Sequence, residues 1–236
     1  MGRIKPGDRL IVALDVASPA EAKRWVRRLS PAVGHFKVGL ELFTAWGPEA
    51  VKLPLGARVF LDLKFFDIPN TMVGAVRSAA ALKPALVNIH ALAGPTAVRQ
   101  CAAALKKLKN PPKLLAVTIL TSFTDEELKR TGMRNGAGKM VSDLCRMALA
   151  AGADGVVASP LEVKKLREEF GEKFIIVTPG VRPSWSEKND QKRTATPYRA
   201  VKDGADYVVV GRPILNAPDP LEAARTVIRE IEEACE

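Results

Sequence analysis

The sequence predicts an α/β protein in which strand and helix alternate eight times. Short apolar segments rich in β-branched residues recur along the 236 residues, and amphipathic segments with helical spacing separate them. Polar residues also collect where the apolar segments end. Alternating strands and helices favour parallel pairing with right-handed crossovers. Because eight such units in roughly 250 residues are typical of a closed barrel, we expect residues 1–236 to form a single-domain (β/α)8 TIM barrel.

Each apolar segment has the length of one strand. In chain order they are RLIVALDV (9–16), HFKVGL (35–40), ARVFLDLKF (57–65), ALVNIHAL (85–92), KLLAVTIL (113–120), ADGVVAS (153–159), KFIIVTPG (173–180) and ADYVVVG (205–211). Helical spacing between them is seen in SPAEAKRWVRRLS (18–30), TMVGAVRSAAALK (71–83) and SPLEVKKLREEFG (159–171), two of which open with Ser-Pro. A doubly wound open sheet is the alternative. It usually carries a glycine-rich turn after its first strand, and ALDVASPAEA has none.

Composition excludes several classes of protein. Hydrophobic residues make up 47% of the chain, enough for a large core, and no apolar run could span a bilayer. The opening MGRIKPGDRL lacks the apolar stretch of a secretory signal. The three cysteines, Cys101, Cys145 and Cys235, are too widely spaced for a disulfide framework or a metal site. We therefore expect a cytoplasmic protein with no membrane partner.

The net charge of +10 is distributed over many short basic clusters. Only 6% of the residues are aromatic, so stacking platforms and basic stripes for nucleic acid are not evident. A solvated basic surface is the simplest interpretation, and no nucleic-acid partner is expected. Such a field also attracts small anionic substrates.

The segment VFLDLKFFDIPNT (59–71) combines an apolar strand with three ionisable groups, Asp62, Lys64 and Asp67. Charged side chains are seldom kept in such a place unless they are paired or used. Side chains alternate along a strand, so Asp62 and Lys64 are expected on one face and the flanking leucines on the other. If the leucines face the helices, the charged pair faces the barrel axis.

The same alternation places Asp15 on strand one and Lys37 on strand two inside the barrel. Strands one to three are neighbours, so Asp15, Lys37, Asp62 and Lys64 are expected to form one cluster of alternating sign. A structural ion-pair network at the barrel mouth is the alternative, although buried ion pairs add little net stability. Nearby carboxylates favour the ammonium form of a lysine, so Lys64 is expected to donate a proton.

The segment DLKFFDIPNT fits the Asp-x-Lys-x-x-Asp-Ile-Pro-x-Thr signature of the orotidine 5′-phosphate decarboxylase family, and the chain resembles this family throughout. Supporting segments, in order, are ALDV, FKVGLELF, VNIHA, VTILTS, TPGVR, DQKRTATP and VVVGRPI. The resemblance implies conversion of orotidine 5′-phosphate to uridine 5′-phosphate and CO2, the last step of de novo UMP biosynthesis. It also implies that no cofactor and no metal are needed.

The resemblance also implies roles for the charged residues. Lys64 matches the lysine that protonates C6 of the pyrimidine, and Asp62 matches the aspartate beside the scissile carboxylate. Lys37 matches a lysine that binds the ribose and bridges the charged network. Asp15 matches a ribose-hydroxyl ligand.

Three further matches imply a homodimer. Asp67, Ile68 and Thr71 match residues that complete the site of the neighbouring subunit. This would explain why Asp67 is not on the inward face of Lys64.

The remaining substrate contacts implied by the resemblance lie after strands five, seven and eight. Thr121 matches a hydroxyl that bonds the pyrimidine, Arg182 and Gln191 match phosphate ligands, and Gly211 and Arg212 complete the phosphate cradle. Barrels commonly bind phosphate after strands seven and eight, where arginine offers a forked donor and glycine lets the backbone approach an oxyanion. The alternative is a solvated polar loop, followed by a helix near Thr196.

Two other functions stay open. Metal-dependent sugar-phosphate enzymes of the same superfamily share the Asp-x-Lys-x-x-Asp core but carry a glutamate where this chain has Lys37. A basic barrel that binds RNA as a scaffold is the second, and it would leave the charged cluster without use. His35 and His90 are expected to be structural.

Overall fold

The computed structural model describes residues 4–53, 56–186 and 193–236. Eight parallel strands form a closed barrel in which each strand pairs with its neighbours in sequence and the last pairs with the first. The predicted (β/α)8 barrel is therefore confirmed, and the open sheet is excluded. The strands are β1 (Leu10–Ala13), β2 (His35–Gly39), β3 (Arg58–Phe65), β4 (Leu86–His90), β5 (Lys113–Val117), β6 (Gly155–Val157), β7 (Ile175–Thr178) and β8 (Tyr207–Val210).

Helices cover the outside of the barrel. They are α1 (Pro19–Leu29), α2 (Leu40–Trp46), α3 (Pro69–Ala81), α4 (Gly94–Lys106), α5 (Asp125–Arg130), α6 (Ala137–Ala150), α7 (Val163–Phe170), α8 (Pro197–Lys202), α9 (Arg212–Leu215) and α10 (Pro220–Cys235). Short 3-10 helices span Pro6–Arg9, Gly47–Lys52 and Ala91–Ala93.

The hydrophobic core has two layers because side chains alternate across each strand. Alternate strand residues fill the barrel interior, namely Ile11, Ala13, Phe60, Leu86, Leu115, Val117, Val157, Ile175, Val177 and Val209. The other strand residues pack outward against the helices, as Leu61 and Val87 do. The interior layer lies beneath the polar residues at the carboxyl ends of the strands.

Local sequence signals fix most helix starts. Ser18 caps α1, with Pro19 at its first position, and Thr196 caps α8 as the sequence suggested. The second Ser-Pro pair, Ser159-Pro160, was predicted to open a helix but does not. Helix α7 begins only at Val163, and the Ser159 hydroxyl instead donates to the carbonyl of Arg193. Ser159 therefore ties a strand end to the segment after β7.

Within residues 4–53, 56–186 and 193–236, no helix has the length and apolar character needed to cross a membrane.

Candidate active site

A cavity of about 690 Å3 opens at the carboxyl ends of the strands. This volume suits a nucleotide-sized ligand. Apolar interior residues form its floor, and polar residues ring it. The polar and glycine residues that line it are Asp15, Lys37, Glu41, Asp62, Lys64, Thr121, Ser122, Gly180, Arg182, Gly211 and Arg212. Eight of the twelve site residues inferred from the sequence thus line one cavity, three lie elsewhere, and Gln191 lies outside the described residues.

The predicted cluster of alternating charge is present. The Lys37 ammonium lies 2.6 Å from Asp15 Oδ1 and 3.5 Å from Asp62 Oδ2. The Lys64 ammonium donates to Asp62 Oδ1 over 2.7 Å. The four groups therefore form a continuous row, Asp15–Lys37–Asp62–Lys64, across the ends of β1, β2 and β3.

Lys64 reaches this row by an irregular backbone, which the alternation argument did not foresee. Its φ is 49°, in the left-handed region, and β3 loses its regular register against β4 between Leu61 and Phe65. The conclusion that Asp62 and Lys64 share a face is correct, but the reason is a bulge rather than a regular strand. Strain of this kind persists at sites where the surroundings hold it in place.

The two central groups of the row, Lys37 and Asp62, keep their charges. Burial alone would lower the pKa of Lys37, but the carboxylates of Asp62 and Asp15 outweigh burial and raise it above the ordinary lysine value. Burial alone would raise the pKa of Asp62, but Lys37 and Lys64, with hydrogen bonds from Lys64 and Asn88, lower it. Lys37 and Asp62 are therefore ionised at neutral pH.

Asn88 lies beside the charged row and was not among the residues predicted from the sequence. It lies on β4, is fully buried, and bonds both Asp62 and the backbone of Lys64. Its position offered a signal, because Asn88 has the same strand parity as Leu86, which faces the barrel interior. A polar residue at an inward position next to an Asp-x-Lys strand could have been selected on that ground.

Gly39 makes the close approach of Lys37 and Asp15 possible. A Cβ at this position would lie 2.7 Å from Lys37 Nζ and 3.0 Å from Asp15 Oδ1. Any side chain here would occupy space that the ammonium now fills. The glycine in FKVG therefore serves the charged row rather than a turn.

Arg182, Gly211 and Arg212, which follow β7 and β8, line the same cavity, and Gly211 lies beside Asp15 of the charged row. Arg182 is buried, and α9 begins at Arg212, directly after β8. This is the part of the barrel where phosphate sites are common. Gln191, the other predicted phosphate ligand, lies outside the described residues.

The two ends of the segment after β7 are joined. Val181 pairs with Ala195, and the Arg182 amide donates to the Ala195 carbonyl over 2.9 Å. The guanidinium of Arg193 forms an ion pair with the buried carboxylate of Glu162. Arg182 is thus held by backbone contacts at the base of the segment.

Thr121, which follows β5, also lines the cavity. Asp67, Ile68 and Thr71 do not line it, and they lie at the start of α3, with Ile68 67% exposed. The structure does not bring these three residues into the cavity, and their contribution to a neighbouring subunit's site stays a prediction.

Neither histidine lines the cavity. Burial, followed by the charge of Arg58, lowers the pKa of His35 to about 4, and its ring packs edge-on against Tyr207. His90 stacks on Phe66 at the end of β4, and burial, followed by the charge of Lys64, lowers its pKa. Both rings are neutral at pH 7.

Comparison with known proteins agrees with this geometry. The model of the orotidine 5′-phosphate decarboxylase / HUMPS family matches residues 8–227. The orotidine 5′-phosphate decarboxylase of Geobacter metallireducens is 49% identical over 236 residues, covering 98% of this chain and 99% of the relative. That of Moorella thermoacetica is 48% identical over 240 residues, covering 98% and 95%.

A solved structure gives the same result. The crystal structure of orotidine 5′-phosphate decarboxylase from Lactobacillus acidophilus superposes with a TM-score of 0.84 at 38% identity, covering 95% of this chain and 99% of that one. An uncharacterized conserved protein from Geobacillus kaustophilus superposes with a TM-score of 0.81 at 33% identity, covering 94% and 99%. The chain belongs to the orotidine 5′-phosphate decarboxylase / HUMPS family.

Proposed function

We propose that the protein is an orotidine 5′-phosphate decarboxylase that forms uridine 5′-phosphate and CO2 in the last step of de novo UMP biosynthesis. The observation that carries this proposal is the row of alternating charge, with Asp62 held between two ammonium groups at one side of the cavity. Two relatives that match nearly the whole chain are named orotidine 5′-phosphate decarboxylase, and these names support the same reaction.

The row suits a reaction that passes through a carbanion. When the bond between C6 and the carboxylate breaks, the electron pair stays on C6 and CO2 leaves. The Lys64 ammonium then gives its proton to C6. Fixed charges that need no rearrangement stabilise such developing charge most effectively, and the bonds of Lys64 and Lys37 to Asp62 hold them in place.

Asp62 is proposed to face the substrate carboxylate. A carboxylate bound next to Lys64 also lies near Asp62, because the two side chains are 2.7 Å apart. Repulsion between the two carboxylates disappears as neutral CO2 forms. Slow uncatalysed reactions need on the order of 20 kcal/mol of barrier lowering, so this repulsion is one contribution among several.

The rest of the nucleotide is proposed to supply binding energy. Asp15 and Lys37 would bind the ribose, Thr121 the pyrimidine, and Arg182 with Gly211, Arg212 and Gln191 the phosphate. Contacts to these remote groups can be used to hold the reacting end in position.

We propose that the reaction needs neither a metal nor an organic cofactor. In the metal-dependent relatives a glutamate is expected where this chain has Lys37, and an ammonium there repels a cation. Across the described ranges, no three histidine, cysteine or acidic side chains are grouped so that they could hold a metal ion.

We further propose a cytoplasmic homodimer, with residues 1–236 forming one catalytic domain in each subunit. Asp67, Ile68 and Thr71 would complete the neighbouring site. Apolar side chains near the cavity mouth support this, since Phe66 is 61% exposed and Ile68 67% exposed. Such side chains are typical of an interface between subunits.

The reaction is tested by mixing the purified protein with orotidine 5′-phosphate in excess EDTA and following loss of the orotate chromophore. Metal-independent loss with uridine 5′-phosphate as product is expected. No loss in EDTA, together with activity on a sugar phosphate after magnesium is added, would contradict the proposal and favour the metal-dependent relatives. Absence of any turnover with salt-sensitive RNA binding would favour a scaffold function.

The shared site is tested by mixing two inactive variants, Lys64→Ala and Asp67→Asn. Random exchange of subunits would make half of the dimers mixed, and each mixed dimer would hold one intact site. About a quarter of the wild-type activity is therefore expected after exchange. No recovery, with exchange verified by differently tagged subunits, would contradict the contribution of Asp67 across the interface.

A further inference from the structure

The pairing register of β3 against β4 is irregular beside the charged row. Leu61 pairs with Val87 and Phe65 pairs with Ile89. Residues 62–64 therefore lie opposite the single residue Asn88. Because φ of Lys64 is 49°, its amide is turned away from the regular ladder and needs another acceptor.

Asn88 supplies that acceptor and a donor as well. Its Oδ1 accepts the Lys64 amide over 2.8 Å, and its Nδ2 donates to Asp62 Oδ1 over 2.6 Å. The same Asp62 oxygen accepts the Lys64 ammonium over 2.7 Å. The three residues thus form a closed ring of hydrogen bonds in which the backbone and the side chain of Lys64 are held from opposite ends.

Only a carboxamide of this length meets both demands. An aspartate at the position would place a second negative charge against Asp62, and a leucine would leave the buried Lys64 amide and one Asp62 bond unsatisfied. Asn88 is fully buried and does not line the cavity, so it does not touch the substrate.

We propose that Asn88 is a positioning residue for catalysis: it fixes the strained backbone of Lys64 and the orientation of the Asp62 carboxylate. This inference rests on the proposed decarboxylation. Since it acts on the reacting end of the site only, its removal should lower kcat and leave the binding of the phosphate and ribose nearly unchanged.

The split between kcat and KM offers a readout that a purely structural role would not move. The charged groups facing Asp62 are Lys37 from β2 and Lys64 from β3, with Asp15 beyond Lys37 and His90 near Lys64. The Asn88 hydrogen bond is a further contribution that lowers the pKa of Asp62. Without this bond Lys37 and Lys64 still lower that pKa, so Asp62 stays ionised from pH 5 to 9 and the loss of kcat should be the same across this range.

The test compares Asn88→Leu, Asn88→Asp and Asn88→Ser with Val87→Ala. Val87 precedes Asn88 on β4, is fully buried and faces the helices, so its truncation destabilises the strand without touching the ring. Steady-state kinetics with orotidine 5′-phosphate from pH 5 to 9 and thermal unfolding are measured for all four variants and the wild type.

We expect Asn88→Leu to lower kcat by about 100-fold, the cost of a misplacement of about 1 Å, with KM changed less than about threefold. The loss is the same from pH 5 to 9, and Asn88→Asp loses at least as much activity. Asn88→Ser retains a hydroxyl that can bond one partner and is expected to fall between Asn88→Leu and the wild type. Val87→Ala keeps the wild-type kcat and KM despite a lower Tm.

The proposal is overturned if the Asn88 variants keep kcat within about threefold of the wild type, or if Val87→Ala shows the same losses. Failure of all three Asn88 variants to fold would make Asn88 a residue of stability and would equally overturn it. A wild-type protein without turnover of orotidine 5′-phosphate would instead overturn the proposed function, so the two failures are distinguishable.

Discussion

Replacing Gly39 by alanine should lower activity by about 100-fold while leaving the fold intact. The new Cβ would lie 2.7 Å from Lys37 Nζ and 3.0 Å from Asp15 Oδ1. The backbone at Gly39 is extended, with φ −98° and ψ −174°, so alanine fits it without strain. The only groups that must give way are two charged side-chain ends of the row.

The size of the effect follows from the displacement. Non-bonded heavy atoms are comfortable at about 3.5–4.0 Å, so the Lys37 ammonium must retreat by about 1 Å. A shift of that size at a reacting site costs about 100-fold in rate, which corresponds to about 2.7 kcal/mol of transition-state stabilisation. Alanine in place of glycine also restricts the unfolded chain, so the free energy of unfolding should change by less than about 1 kcal/mol.

The assay is kcat/KM for orotidine 5′-phosphate together with urea unfolding. Gly138→Ala is the matched control, since Gly138 lies within α6 and an added Cβ there meets nothing within 4 Å. The control should keep full activity and gain about 1 kcal/mol of stability. The reasoning is refuted if Gly39→Ala keeps kcat/KM within about threefold of the wild type, or if it loses activity only by unfolding.

Three further predictions address other parts of the site and the barrel. Lys64→Ala should lower kcat by at least about 10²–10⁴-fold, the usual contribution of a proton donor, with an unchanged circular dichroism spectrum; substantial turnover would contradict its role. Arg182→Ala should weaken binding of uridine 5′-phosphate by about 10- to 150-fold, since a hydrogen bond to a charged group contributes about 1.5–3 kcal/mol; calorimetry giving the wild-type Kd would rule out its phosphate contact. The pKa of His35 is lowered from 6.5 to about 4, so the free energy of unfolding should fall by about 3 kcal/mol as the pH drops from 6.5 towards 4. His35→Phe should flatten this part of the plot of unfolding free energy against pH, measured by urea unfolding. An equally steep plot for the variant would contradict the assignment.

The features that were predictable from the sequence are those set by repeating patterns or by a long motif. Eight apolar segments in regular alternation with helices gave the closed barrel, because that arrangement satisfies every strand edge. Strand parity placed Asp15 and Lys37 correctly, since β1 and β2 pair in regular register. The position of Arg182 at the end of β7 followed from the same chain order.

The features that were not predictable depend on tertiary contacts. The bulge at Lys64 breaks the period of two, and nothing in LDLKF marks a positive φ at a lysine. Asn88 holds that bulge from another strand, so its partners are visible only after β3 and β4 are paired. Similarly, the Ser-Pro pair at Ser159 predicted the start of a helix. The hydroxyl of Ser159 instead bonds the Arg193 carbonyl, a partner distant in sequence that local patterns do not show.

The pairing of Val181 with Ala195 determines where the length of the chain can change without loss of the fold. The hydrogen bond from the Arg182 amide to Ala195 closes the base of the intervening segment, so the arginine is anchored independently of what lies between. The entropic cost of closing a loop grows only slowly with its length. Changes in length between residues 183 and 190 should therefore cost little folding free energy, while Arg182 keeps its anchor and the charged row stays untouched.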